Sequence, residues 1–265
     1  MRLFSILFLF FAQISFSQVN LHGTLIVVIP GTDGIILACD SRMSSKPNDS
    51  IENSYYLDSI NKTHFIDDMP IMIGGAMFHD CISIHEIIEK YKRIYKKEND
   101  KKLKFLNFVE YFRTNYPINA TTETRLKNQF YTALYHDSIP YAIFTRDGEI
   151  VFSRLSIYAS DINFLEFYPP NWLQCDSIAK ILPQKFDNYR TKFGKSFDVG
   201  GPLSIIKILP DNSFIYIKND FSKQKFNYKI LHKILKEKGM GLFTKSNNTL
   251  PPEWEIEKII QKCGQ

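Results

Sequence analysis

Apolar residues fall in short runs along this chain, and the first run stands apart from the others. Residues 3–11 are Leu, Ile and Phe except for Ser5, after a positive start at Met1-Arg2, and Ala12, Gln13, Ser15 and Ser17 follow. The run is shorter than the roughly 20 residues needed to span a bilayer. It predicts a cleaved export signal over residues 1–17, with the cut between Ser17 and Gln18; an uncleaved N-terminal anchor is the other reading. No later stretch reads as a membrane span, so the chain beyond the signal is expected to carry none.

Residues 24–29 (TLIVVI) and 35–39 (IILAC) are two apolar runs joined through Pro30-Gly31-Thr32-Asp33-Gly34, which predicts a hairpin with a loop of about five residues. Neither run alternates, so both faces of their sheet should be covered. Residues 41–61 are polar and read as a long loop. Residues 63–67 and 70–73 suggest a second hairpin turning at Asp68-Met69 and ending at Gly74-Gly75-Ala76. The period then changes: Ile82, His85, Ile88 and Tyr91 fall at helical spacing. A second helix is expected over 103–112, and residues 122–135 continue it or form a third. Strands return at 141–145 and 150–153, a helix at 177–189, and a hairpin at 203–209 and 213–218 turning through Pro210-Asp211-Asn212. The tail from 219 is rich in lysine, with a helical patch at 228–235. Strands first, then helices, then strands again argue for one α+β domain, not a βαβ repeat.

With 265 residues, 44% hydrophobic and 23% charged, the chain has the balance of an ordinary globular domain rather than a disordered one. A net charge of +5 without a basic, aromatic-studded motif gives no reason to expect nucleic acid as a partner. Cys39, Cys81, Cys175 and Cys263 are scattered without a CxxC pair, which argues against a zinc ribbon. Outside the cytoplasm four cysteines allow three disulfide pairings, and the sequence chooses none of them, although Cys39 sits in an apolar run as a small hydrophobe does. His64 and His85 fall within apolar patterns, and no His/Glu/Asp spacing suggests a metal. Nucleotide fingerprints are absent, so no cofactor is expected.

The chemistry gathers near the start. Gly23-Thr24 opens a strand, Gly31-Thr32-Asp33-Gly34 turns it, and Ala38-Cys39-Asp40-Ser41-Arg42 closes the next strand. Lys62-Thr63-His64-Phe65-Ile66 then leads to Gly74-Gly75-Ala76, and Asp198-Val199-Gly200-Gly201 comes late. In this order and spacing the residues resemble a proteasome β-type subunit, a member of the N-terminal-nucleophile (Ntn) hydrolases. The resemblance is dense over residues 23–76 and faint through the middle. It implies a four-layer αββα sandwich, two stacked antiparallel sheets between helices, over 24–218. Residues 18–23 would then be a short propeptide-like segment, and 219–265 an extension.

The resemblance also implies roles. Thr24 would be the nucleophile, freed by cleavage of the Gly23-Thr24 bond so that its own amine serves as base. Lys62 would hold the hydroxyl and favour the neutral amine, and Asp40 would orient Lys62. A backbone N–H of Gly74 or Gly75 would face the developing oxyanion. Where the family supports the amine with an aspartate and a serine, this chain reads Ser196 and Val199, with Asp198 between them. No second supporting serine is recognisable over 153–172. Two functions stay open: an exported amidohydrolase acting on peptides or other amides through an acyl-enzyme, and a non-catalytic assembly or binding module. Family members often form rings, so a homo-oligomer is open as well.

Overall fold

The computed structural model describes residues 24–45, 55–57, 60–75, 78–79, 82–95, 98–116, 128–146, 149–154, 158–195, 198–218 and 242–244. The expected signal, the 18–23 segment, the helical patch at 228–235, Cys81 and Cys263 lie outside them. The first hairpin pairs β1 (Ile26–Gly31) with β2 (Gly34–Cys39), Gly31 opposite Gly34. Its turn is therefore Thr32-Asp33 alone, tighter than the five-residue loop expected. A Cβ on Gly31 would lie 2.8 Å from Cys175 Sγ, so only glycine lets this corner pack.

The expected loop at 41–61 carries two short strands, β3 (Met43–Ser45) and β4 (Tyr55–Leu57). Three-residue strands are too short to show a period, which is why the polar composition hid them. The second hairpin is β5 (Thr63–Ile66) with β6 (Met69–Gly74), turning at Asp67-Asp68. The small pair β7 (Phe78–His79) and β8 (Ile82–Ser83) leads into helix α1 (Ile84–Ile94). Helix α2 (Lys101–Asn115) is capped by Asp100, whose carboxylate accepts from the Lys102 and Leu103 amides.

Residues 129–135, expected to be helical, are strand. β9 (Gln129–His136) pairs with both β6 and β10 (Ile139–Arg146), and β11 (Glu149–Arg154) follows. Phe130, Tyr131, Thr132 and Tyr135 are β-formers, and a central place in a sheet overrides the weak helical pattern. β12 (Tyr158–Ala159) and a 3-10 turn (Ile162–Phe167) precede helix α3 (Cys175–Lys192), and the hairpin β13 (Ser204–Ile208) with β14 (Phe214–Lys218) follows it. β15 (Leu242–Thr244) pairs with β4.

Two five-stranded antiparallel sheets result, ordered β12-β1-β2-β13-β14 and β11-β10-β9-β6-β5. Alternate residues of β1 and β2 explain the continuous apolar runs. Ile26, Val28, Ile35 and Leu37 meet Met72, Tyr131, Ala133 and Phe144 between the sheets. Val27, Ile29, Ile36 and Ala38 pack outward against Ile178, Leu182 and Phe186 of α3. On the far side Ile87, Ile88 and Tyr91 of α1 and Phe105 and Phe108 of α2 cover Ile71 and Ile73 of the second sheet. Each fully buried Leu, Ile or Phe contributes about 1.5–3 kcal/mol by leaving water, which fixes the register of the strands. This is the αββα sandwich.

α3 starts without a capping side chain of its own. Asp33 of the first hairpin turn supplies the acceptor instead, 2.8 Å from the Cys175 amide, and Lys207 donates to its other oxygen at 2.6 Å. Burial pushes Asp33 up, but the Cys175 amide and the Lys207 ammonium outweigh it and hold the carboxyl down at about 2. The hairpin turn, the helix and β13 are thereby tied at one end of the sandwich. The chemistry lies at the other.

Candidate functional site

Pairing of Ile26 with Cys39 brings the residue before β1 and the residue after β2 together. Thr24 and Asp40 therefore meet although 15 residues separate them. Asp40 is wholly buried and its carboxylate accepts from four donors. The Leu25 amide and Lys62 Nζ reach Oδ1 at 2.9 and 3.1 Å, and the Arg42 and Gly200 amides reach Oδ2 at 3.1 Å each. A Cβ on Gly200 would lie 2.5 Å from the Arg42 guanidinium carbon, so the guanidinium packs directly against this glycine.

Lys62, 1% exposed, enters from the start of β5. Its Nζ donates to Thr24 Oγ1 at 2.9 Å, to Asp40 Oδ1 and to the Arg42 carbonyl, so each ammonium hydrogen has an acceptor. The lysine backbone is fixed too: its carbonyl accepts from the Ile73 amide at 3.0 Å, across the β5–β6 hairpin. Burial raises the Asp40 carboxyl above its ordinary value, against the pull of the Lys62 charge and of the Gly200 and Leu25 amides. Cys39, beside them, is no rival nucleophile. Burial above all pushes its thiol up to about 12.

Ser160, just beyond β12, completes the first strand's surroundings. Its Oγ accepts from the Ile26 amide at 2.9 Å and donates to the Thr24 carbonyl at 3.3 Å, while its own amide bonds the Ile26 carbonyl at 2.8 Å. The sequence reading missed this serine. Ser160 lies 136 residues from Thr24, and only the pairing of β12 with β1 brings it close.

The remaining expected residues divide. Gly74 ends β6, and a Cβ there would be 3.6 Å from Ile26 Cδ1, which places it against the strand that Thr24 opens. Gly75 has φ 92°, a conformation that favours glycine. Asp198 sits in a tight turn with its amide on the Lys195 carbonyl at 3.0 Å. Its charge is felt at Tyr189: burial first, then Asp161, Asp198 and Asp40, raise that hydroxyl. Val199 is buried in the core under α3. Gly23 and Ser196 lie outside the described residues. Among the described residues no three His, Cys, Asp or Glu side chains converge as metal ligands, and no helix is long and apolar enough to cross a membrane.

No protein-family model matches the sequence, and no curated protein is significantly similar to it. Solved structures are similar. The Gly-1 mutant of Anbu from Hyphomicrobium sp. strain MC1 shares 12% identity at a TM-score of 0.51, covering 82% of this chain and 96% of that one. Anbu (ancestral beta-subunit) from Yersinia bercovieri shares 12% at a TM-score of 0.50, covering 74% and 88%. What the chain shares with them is the fold. The resemblance read from the sequence is corrected accordingly: it pointed to proteasome β-type subunits themselves, whereas the similar structures are Anbu proteins, one of them described as an ancestral β-subunit. At 12% identity the likeness is one of fold and does not assign the chain to a branch.

Proposed function

We propose that this chain is a threonine-nucleophile amidohydrolase, with Thr24 attacking a peptide or other amide carbonyl. What supports the reading is one contact: a buried lysine, itself held by a buried aspartate, points its ammonium at the Thr24 hydroxyl from 2.9 Å. A strand residue needs no such partner for packing. Once Thr24 is the first residue, its amine takes the hydroxyl proton as Oγ bonds the carbonyl carbon. The Lys62 charge favours the neutral amine and stabilises the forming alkoxide. A Gly74 or Gly75 amide faces the oxyanion. The tetrahedral carbon then expels the amine product, which leaves with that proton, and water hydrolyses the ester to restore Thr24.

In this reading residues 1–17 direct export, and cleavage at Gly23-Thr24 follows signal removal. A second reading rests on Val199, packed in the core at the position where the resemblance implies a supporting serine: the sandwich would then serve as a non-catalytic binding or assembly module. N-terminal sequencing of the exported protein decides between them. Catalysis requires a mature chain that begins at Thr24; a Thr24→Ala chain should stay uncut at residue 23, and equal processing of that variant would mean that a host protease makes the cut. A mature chain that remains at Gln18 excludes the threonine mechanism.

A further inference from the structure

The segment between Asp40 and Lys62 leaves the site and returns to it through a narrow neck. The Ser41 amide bonds the Gly200 carbonyl at 3.2 Å, and the Ile60 amide bonds the Ser41 carbonyl at 2.9 Å. Arg42, at the neck, offers its carbonyl to Lys62. β3 begins at the very next residue, so the register of β3 determines where that carbonyl lies. Beyond the neck, β3 and β4 pair over only three residues, Met43 with Leu57, Ser44 with Tyr56 and Ser45 with Tyr55. A two-stranded ribbon of this size is not stable alone. Its third strand comes from the far end of the chain: β15 lays Leu242, Phe243 and Thr244 opposite Leu57, Tyr56 and Tyr55. β4 is thus the middle strand of a small sheet rooted in the site.

We infer that the C-terminal extension is a positioning element of the site, with β15 clamping the β3–β4 ribbon so that the Arg42 carbonyl stays under the Lys62 ammonium. The inference rests on the proposed role of Lys62 toward Thr24. Geometry sets the expected size of the effect. A displacement of about 1 Å at a catalytic group costs on the order of 10²-fold, and loss of one of three acceptors shifts a long flexible side chain by a fraction of that.

The test uses the full-length protein with Phe243→Ala, Phe243→Gly and Phe243→Pro, a series that progressively weakens the β15 ladder, proline by removing its donor. Brief acetic anhydride treatment and mass spectrometry report the accessibility of Lys62. Lys104, equally buried but held elsewhere, reports whether the fold is intact. The expected result is Lys62 protected in wild type and in Phe243→Ala, and acetylated about tenfold faster in the glycine or proline variant while Lys104 stays protected. In the same variants, acylation of Thr24 by a peptide β-lactone slows about tenfold. Its acid limb moves to higher pH, because an amine that loses a nearby positive charge holds its proton more tightly. Lys62 that stays protected in all three variants, or that becomes reactive only together with Lys104, overturns the inference. Wild-type protein whose Thr24 resists acylation, with Lys62 exposed selectively in the variants, instead contradicts the proposed function and leaves the clamp standing.

Discussion

Two lysines, Lys62 and Lys104, are almost wholly inside this protein, 1% and 2% exposed, and their partners differ. Lys104 extends from α2 to the β5–β6 turn, where it meets Asp67 at 3.6 Å and Asp68 at 2.5 Å. Those carboxylates are 38% and 61% exposed, so water still solvates one side of the pair. Lys62 meets an aspartate with no exposure at all, together with a hydroxyl and a backbone carbonyl. Removing both charges from water costs several kcal/mol per ion, and the attraction between them roughly offsets that cost at best. The Lys104 cluster is accounted for by its mechanical role, holding a turn against a helix. The Lys62 pair also ties segments together, through the Leu25, Arg42 and Gly200 amides and the Arg42 carbonyl, but its ammonium is aimed as well at the Thr24 hydroxyl. Of the two, Lys62 is the one whose ammonium meets a hydroxyl, and the proposed function rests on that contact.

Several substitutions can break that contrast. The largest effect is expected from Lys62→Ala, which removes the charge beside the Thr24 hydroxyl; acylation of Thr24 should fall by about 10³-fold. The equivalent change at the other cluster, Lys104→Met, should leave the acylation rate within about twofold, and loss of rate there would erase the distinction. Next is Asp40→Ala, which strands a buried ammonium and the amides of Leu25, Arg42 and Gly200. Urea unfolding should show a loss of about 3–5 kcal/mol. Lys104→Met should cost less than about 1.5 kcal/mol by the same measurement, because the Asp67 and Asp68 carboxylates it leaves behind, 38% and 61% exposed, stay solvated.

Ser160→Ala sharpens the comparison at a smaller scale. It leaves the Ile26 amide without its acceptor, a loss of about 1–3 kcal/mol in the free energy of urea unfolding. The smallest expected effect is one of pH. Burial raises Asp68, but hydrogen bonds and charge from Lys104 and Lys101 prevail and lower it below its ordinary 3.8. A carboxyl lowered in the folded state stabilises above its unfolded value and loses that contribution as pH falls through the folded one. The stability gap between wild type and Asp68→Asn should therefore be present above about pH 4 and close as the solution is made more acidic. Asp40, raised by burial, works in the opposite direction, its ionisation opposing the fold as pH rises above 3.8.

How much of this was legible beforehand follows from distance along the chain. The first hairpin, Asp40 at its end and Lys62 before the next strand all lie within 39 residues, and turn chemistry with apolar runs marks each of them. The two-faced burial of β1 and β2 followed from their unbroken apolar runs. Ser160 carries no local signal, because its role depends on β12 pairing with β1 across the chain. β9 was misread as helical because its neighbours β6 and β10, not its own period, make it a strand. β3 and β4 were lost in a polar stretch, and β15 in a lysine-rich tail, since three-residue strands exist only through their partners. The family resemblance came from local motifs and matched the fold; the similar structures, at 12% identity, share that fold and are Anbu proteins, so the resemblance overreached on the branch.

The central claim is that Thr24 is a nucleophile made competent by Lys62. Intact-mass and peptide mapping of the mature protein after exposure to a peptide β-lactone tests it most directly. The account predicts a chain that begins at Thr24 and carries one acyl group on Thr24 in wild type, with no adduct in Lys62→Ala. A chain that still begins upstream of Thr24, or an adduct that forms equally well in Lys62→Ala, would contradict it.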